Sequence, residues 1–264
     1  MSLSLKNENN DCKPIAQMIG EKKNIIYLND NEEVNMSGES TGGQKLKKLK
    51  IIDGKSQFFP LISKEYKQNE RIFVCGKSGC GKTYYFIRPY IIEFLRVFRN
   101  SKVYFFSSKA QDDAVDDLPI KRVHIDDDFV ENPPDIRQFT NKNNINLVIF
   151  DDIQDYQNAK QNKAVARIRD EMLRNGRSLG LYLVYVWHKP ADRKNTEQQI
   201  FESTATVIFP KTSGHDDYNY LMERYLGIKS VKIRNLLSKA KSNFVYITKK
   251  SPSVAISNNY ILVL

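Results

Sequence analysis

The stretch GKSGCGKT at 76–83 combines residue types that together hold phosphate. It fits the pattern G-x-x-x-x-G-K-[ST], with Gly76, Gly81, Lys82 and Thr83 at the fixed positions. Glycines at Gly76, Gly79 and Gly81 let the backbone turn tightly. The N–H groups of the loop, from Lys77 and Ser78 through Cys80, then point inward at phosphate oxygens. Lys82 brings a point positive charge to the β- and γ-phosphates, and the Thr83 hydroxyl suits the shell of a Mg2+ ion. A second group lies about seventy residues on, where INLVIFDD (145–152) ends an apolar run in two carboxylates. Asp151 would hold Mg2+ directly or through water, and Asp152 would orient or deprotonate an attacking water. Acidic pairs also end strands as plain turn residues, and Asp155 makes this loop acidic in any case. Together the two groups predict a site for ATP and Mg2+.

Such a loop needs a buried strand before it and a helix after it. Ile72, Phe73, Val74 and Cys75 read as the strand, and TYYFIRPYIIEFLRVF (83–98) as the helix, whose N-terminus adds its dipole to the phosphate site. Pro89 inside that run bends the helix or breaks it in two. Short strands are expected at KLKIID and FFPLI, with further ones at SKVYFFSS (101–108), VHI (123–125), GLYLVYVW (180–187) and TATVIF (204–209). A helix through AVARIRDEMLRN places Val165, Ile168 and Met172 on one face and stops at Gly176. Strands alternating with helices predict an α/β fold, a parallel sheet covered on both faces. VYFFS is the expected strand between the phosphate-loop strand and the carboxylate strand. By fold analogy that arrangement belongs to motor ATPases rather than small-molecule kinases.

A chain of 264 residues has room for one large α/β domain with appendages. Residues 1–50 are polar and read as a flexible N-terminal segment, with a weak apolar island at IIYL (25–28) and a link at NMSGESTGGQ (35–44). They carry eight lysines against seven acidic residues, so +9 of the net +10 belongs to the expected ATPase domain, 51–264. That charge favours a polyanionic partner. Its C-terminal part, 225–264, has no acidic residue. Lys229, Lys232, Arg234, Lys239, Lys241, Lys249 and Lys250 there suit sequence-independent phosphate contacts, with Ile228, Val231, Ile233, Leu236 and Leu237 as a docking side. The same lysines also read as an ordinary solvated face. SPSVAISNNYILVL reads as two strands joined at Asn258–Asn259 that close a sheet edge. Cys12, Cys75 and Cys80 lack metal-ligand spacing and suit a reducing compartment. Neither a membrane span nor a signal peptide is expected.

The segments GKSGCGKTYYF, KVYFFSSKAQDD, LVIFDDIQD and RNGRSLGLYLVYVWHKP, in this order and spacing, resemble the genome-packaging ATPases of poxviruses, other large DNA viruses and virophages. These belong with the FtsK/HerA-like P-loop NTPases, and the resemblance covers about residues 70–264. It implies a P-loop NTPase three-layer sandwich with a mainly parallel central sheet and an additional strand between the Walker A and Walker B strands. It further implies a homo-oligomeric ring that moves double-stranded DNA into a preformed capsid, with capsid vertex proteins as partners, in the virion or a viral factory of the host cytoplasm. Carried over, Lys82 and Thr83 bind phosphate and Mg2+, Asp151 the metal and Asp152 the water. The Gly-Arg-His of the family reads Gly176-Arg177-Ser178 here, which makes Arg177 the candidate to reach a nucleotide, of a neighbouring subunit or its own, with Arg174 second. Arg177 also reads as a helix-end charge answering the dipole. Where the family ends the next strand in a glutamine that senses the γ-phosphate, this chain has His188. It is either the sensor or a strand-end histidine facing solvent. A helicase of replication or repair, and a nucleotide-dependent assembly switch that moves no DNA, remain as other readings.

Overall fold

The structure, a computed structural model, describes residues 2–4, 12–20, 24–29, 48–50, 56–62, 69–141, 144–153, 158–189, 193–211, 215–229, 231–238, 242–250 and 253–264. In chain order its strands are β1 (Ser2–Ser4), β2 (Lys13–Gly20), β3 (Ile25–Asn29), β4 (Lys48–Lys50), β5 (Ser56–Pro60), β6 (Arg71–Cys75) and β7 (Val103–Ser107). They continue with β8 (Ile120–Val123), β9 (Asn146–Asp151), β10 (Leu181–Trp187), β11 (Ala205–Ile208), β12 (Val245–Thr248), β13 (Val254–Ser257) and β14 (Tyr260–Val263). The helices are α1 (Arg88–Val97), α2 (Asp127–Glu131), α3 (Ala159–Asn175), α4 (Arg193–Glu202), α5 (His215–Tyr220) and α6 (Val231–Ser238).

Ten strands form one sheet in the order β4-β14-β13-β12-β11-β6-β10-β9-β7-β8. From β11 to β8 every pair is parallel, and the C-terminal strands add antiparallel pairs beyond β11. A strand does stand between the phosphate-loop strand β6 and the carboxylate strand β9, but it is β10. VYFFS, which is β7, lies on the far side of β9. The crossover from β6 through α1 skips two places, and the chain returns later to fill one of them with LYLVYVW, buried along its whole length. Sequence order and lateral order differ here because pairing is decided by contacts more than a hundred residues apart.

Alternation with period two sends each core strand to both faces. Phe73, Cys75, Val148, Phe150, Leu183 and Tyr185 join Val165, Ile168 and Met172 of α3 on one face. Ile72, Val74, Leu147, Ile149, Tyr182 and Val184 join Tyr90, Ile91 and Phe94 of α1 on the other. Across β7, β9 and β10 the rings of Phe106, Phe150 and Tyr185 stack, with centroids 4.7 Å and 5.6 Å apart. Stacked aromatics of this kind hold strand register as well as area.

The N-terminal segment departs from its polar, flexible reading. Strands β1, β3, β2 and β5 form an antiparallel sheet in that order, and Ala16, Met18 and Ile26 pack into the α1-side core. KPIAQMIG carries too few apolar residues to announce a strand, yet its buried Ala16, Gln17 and Met18 are enough once a hydrophobic helix lies beneath. The link proposed at 35–44, residues 51–55 and Asp155 lie outside the described residues. Pro89 falls where the reading places a break. A wide turn of π type spans Thr83–Ile87, with Arg88 N–H donating to Thr83 O, and α1 begins directly after it. The proline cannot donate to a carbonyl four residues back, and the change of winding absorbs that missing bond. The expected strand at 123–125 is found at Ile120–Val123, in register with β7. Residues 254–263 form the expected hairpin, but β4 pairs outside β14 and so takes the edge.

Candidate active site

The phosphate loop follows β6, as its sequence requires. Gly79 and Gly81 have φ of +76° and +85°, a region that other residues enter at a cost. The loop is closed by Cys80 N–H donating to Lys77 O at 3.2 Å and tied to the sheet by Gly76 N–H donating to Trp187 O at 3.1 Å. Thr83 opens the helical turn at the loop's end, and Ser78 and Lys77 are exposed on its rim.

Because β6, β9 and β10 are parallel neighbours, their carboxyl ends meet, and the side chains there converge. Lys82 is buried and its Nζ donates to Gly76 O at 2.9 Å and to Lys77 O at 3.3 Å. It also stands 3.0 Å from His188 Nδ1 at the end of β10. An ammonium can only donate, so Nδ1 accepts and the ring proton of a neutral His188 sits on Nε2. Nε2 in turn lies 2.9 Å from Asp152 Oδ1, close as an ion pair though off the line of a good hydrogen bond. The four residues Lys82, His188, Asp152 and Asp151 are thus brought together from three strand ends. A solvent-facing His188 is not what the structure has.

Asp152 is the one non-glycine residue with positive φ among those described, at 51°, and this kink turns its carboxylate toward His188. Asp151 on β9 is buried, and its Oδ2 has no hydrogen-bond partner among the described residues. Burial, with the neighbouring Asp152 charge added, raises the Asp151 carboxyl from 3.8 to about 7, against the pull of Lys109 and Lys82. An unpaired buried carboxylate oxygen at the end of β9, near enough to Lys82 of the phosphate loop to feel its charge, fits a divalent cation, which Asp151 and the loop's Thr83 would hold. Lys109, two residues past β7, was not singled out from the sequence. Its Nζ lies 3.8 Å from Asp152 Oδ2, and its side chain is half exposed. The available signal was a lysine just beyond the strand beside the acidic pair.

Arg177 is not at this site in its own chain. It sits in the turn between α3 and β10, at the amino end of the sheet, with its carbonyl accepting from Asn69 Nδ2 at 3.2 Å and its side chain exposed. Arg174, in the last turn of α3, is exposed at the same end. The basic segment is also arranged otherwise than as an outward row. Lys249 donates to Ile200 O, and burial lowers it to about 8. Lys250 approaches Glu70 at 4.0 Å, and Arg234 pairs with Glu223. Of the expected docking side, Ile228 and Leu237 are buried in the core, whereas Val231 is 59% exposed. Lys229 is exposed, while the side chains of Lys232, Lys239 and Lys241 lie outside the description.

No family model matches the chain. It is 30% identical over 254 residues to the Sputnik virophage protein titled "Uncharacterized protein V3", with 95% of each chain covered. The chain belongs to the family of this virophage protein. With 95% of the chain covered, the match reaches into the N-terminal strands. Among solved structures, the genome packaging NTPase B204 from Sulfolobus turreted icosahedral virus 2 in complex with AMPPCP matches with a TM-score of 0.51 and 16% identity. The match covers 72% of the V3-family chain and 97% of B204. The chain therefore shares the α/β fold of B204, with its parallel strands β11, β6, β10, β9 and β7 side by side in the sheet.

Proposed function

We propose that the protein hydrolyses ATP and uses the energy to move double-stranded DNA into a preformed viral capsid. The observation that carries the reading is the convergence of Lys82, His188, Asp152 and the unpaired Asp151 oxygen at the strand ends beside a phosphate loop. In this reading Lys82 leaves Gly76 O and His188 to meet the β- and γ-phosphates, and the loop N–H groups from Lys77 to Thr83 hold the remaining oxygens. Mg2+, held by Thr83 and Asp151, supplies positive charge to the phosphates when bound. Asp152 orients water for attack at the γ-phosphorus, the bond to the bridging oxygen breaks, and ADP leaves. With Lys82 withdrawn, His188 Nδ1 can accept from a water at the γ-phosphate, while the Nε2 proton still faces Asp152. Arg177 can contribute only across a subunit boundary, which fits a ring in which the amino end of one sheet meets the phosphate loop of the next.

The packaging role is supported by membership in a virophage family and by a fold shared with a packaging NTPase. It implies capsid vertex proteins as partners and a place in virion assembly. No helix among the described residues is long and apolar enough to cross a membrane. The test is ATP turnover with and without long double-stranded DNA, read beside the mass of the oligomer. Stimulation by DNA in a ring supports the motor. Slow turnover indifferent to DNA overturns it in favour of an assembly switch.

A further inference from the structure

Beside the phosphate loop the protein exposes aromatic and apolar surface that the chemistry at Lys82 and Asp152 does not use. Tyr84, directly after Thr83, is 63% exposed, and Ile92, two turns further along the same helical face, is 43% exposed. Between this face and the end of β2 runs an open groove of about 390 Å³. Tyr84, Arg88, Pro89 and Ile92 form one wall, and Ile19 and Gly20 the other. The volume lies within the usual range for a small-molecule site.

The charges along the groove are already answered. Arg88 is held by Asp117 through two bonds, of 2.5 Å and 2.7 Å, and donates to Ala114 O at 2.8 Å. Glu93 accepts from Arg96 at 2.7 Å and from Gln17 at 3.5 Å. What the groove offers a ligand is therefore a flat aromatic face and apolar walls, which suit an uncharged planar ring. The position of Tyr84 is also fixed. It meets Tyr85 edge to face with centroids 5.1 Å apart, and the Tyr85 ring covers Gly81, where a Cβ would come within 2.5 Å of it. Tyr85 thus ties the exposed ring to the loop.

We infer that this groove takes the base and ribose of the nucleotide, with Tyr84 as the stacking face and the N-terminal sheet as the opposite wall. The inference rests on the reading of 76–83 as a triphosphate site. A nucleoside leaves the phosphate chain at its α end, beside the start of the helix, and Tyr84 is the first side chain beyond the residues that hold phosphate and metal. Stacking on an aromatic face tolerates any base, so the site would bind nucleotides without reading the base by hydrogen bonds. The N-terminal strands, which the phosphate chemistry leaves without a role, become part of the substrate site.

Calorimetry of the full chain with Mg2+ separates the two halves of the ligand, with ATP as one probe and inorganic tripolyphosphate as the other. Tyr84→Ala is expected to weaken ATP about tenfold, Tyr84→Phe to keep wild-type affinity, and tripolyphosphate to bind all three proteins alike. Ile19→Trp, which fills the groove from the far wall, should weaken ATP and leave tripolyphosphate unchanged. ATP affinity unchanged in Tyr84→Ala or in Ile19→Trp overturns the inference. A parallel loss of both probes in Tyr84→Ala does so as well, since the ring would then only support the loop. If wild type binds tripolyphosphate but gains nothing from the nucleoside, the groove assignment fails and the phosphate loop stands. If wild type binds neither, the triphosphate reading itself falls, and the groove assignment with it.

Discussion

Replacing Asp151 by asparagine should make the metal-free protein more stable at alkaline pH while it weakens Mg2+-dependent ATP binding. The Asp151 carboxyl is 2% exposed, and its raised pKa of about 7 compares with 3.8 in the unfolded chain. The folded state therefore binds this proton more tightly. Stability is full below the unfolded value and falls as pH rises through the window from 3.8 to about 7. At ~1.4 kcal/mol for each pH unit between the two values, ionisation costs the metal-free fold about 4 kcal/mol, of which about 3 kcal/mol falls between pH 5 and pH 8. Asparagine keeps the shape and cannot ionise. Glu70, also raised by burial, adds a slope of the same sign to both proteins, so the difference between them isolates Asp151. Urea unfolding in the presence of a chelator, at pH 5 and pH 8, measures it. Wild type should lose about 3 kcal/mol more than the variant across that interval. Parallel losses in the two proteins would refute the argument that burial disfavours the ionised form of this carboxyl until a cation answers it.

Lys82→Ala should abolish ATP binding by calorimetry while leaving the unfolding midpoint near that of wild type. His188→Ala removes one acceptor that holds Lys82 away from phosphate, so ATP affinity should rise about fivefold, by ~1 kcal/mol, as turnover falls in single-turnover assays. Affinity and turnover falling together would mean that His188 does not compete for Lys82. Lys109→Ala should lower kcat with little change in KM, and Lys109→Arg should restore it, because a cation beside Asp152 is what is lost. Arg177→Ala protein mixed with Lys82→Ala protein should regain turnover, since a transition-state arginine in trans contributes about 10³–10⁵ in rate. No recovery in confirmed mixed rings would leave Arg177 as a helix-end charge.

The phosphate loop and the acidic pair were legible because their chemistry is local. GKSGCGKT carries its groups within eight residues directly after a strand, and LVIFDD carries both strand and carboxylates. Lateral order was not legible. VYFFS and LYLVYVW are both apolar strands of similar length, and only the pairing of Leu183 with Arg71 and of Leu183 with Val148 decides which of them stands beside the phosphate-loop strand. The basic C-terminal stretch departs from its reading at Lys249, Lys250 and Arg234 for a related reason. Its charge count is correct, but direction depends on neighbours far away in sequence, and the ammonium of Lys249 finds Ile200 O inside the fold. His188 lay between the two. Its place at a strand end was readable, whereas its contacts with Lys82 and Asp152 needed the loops of β6 and β9 beside it. In β2 the signal was weak because two of its three buried residues are a small alanine and a glutamine bonded to Glu93.

The central place of β6 also sets an order of events during synthesis. Arg71 pairs with Leu183 on one side, and Ile72 with Ala205 on the other, each more than a hundred residues downstream. A ribosome adding about 5–20 residues per second needs about 5–20 s to bridge the nearer gap. Through that interval the strand bearing the phosphate loop has been made but has neither neighbour, and both of its edges are open to other chains. His188 follows only after the nearer partner strand is complete, so the site cannot close before then. Nucleotide can therefore stabilise the finished sheet, but it arrives too late to template it.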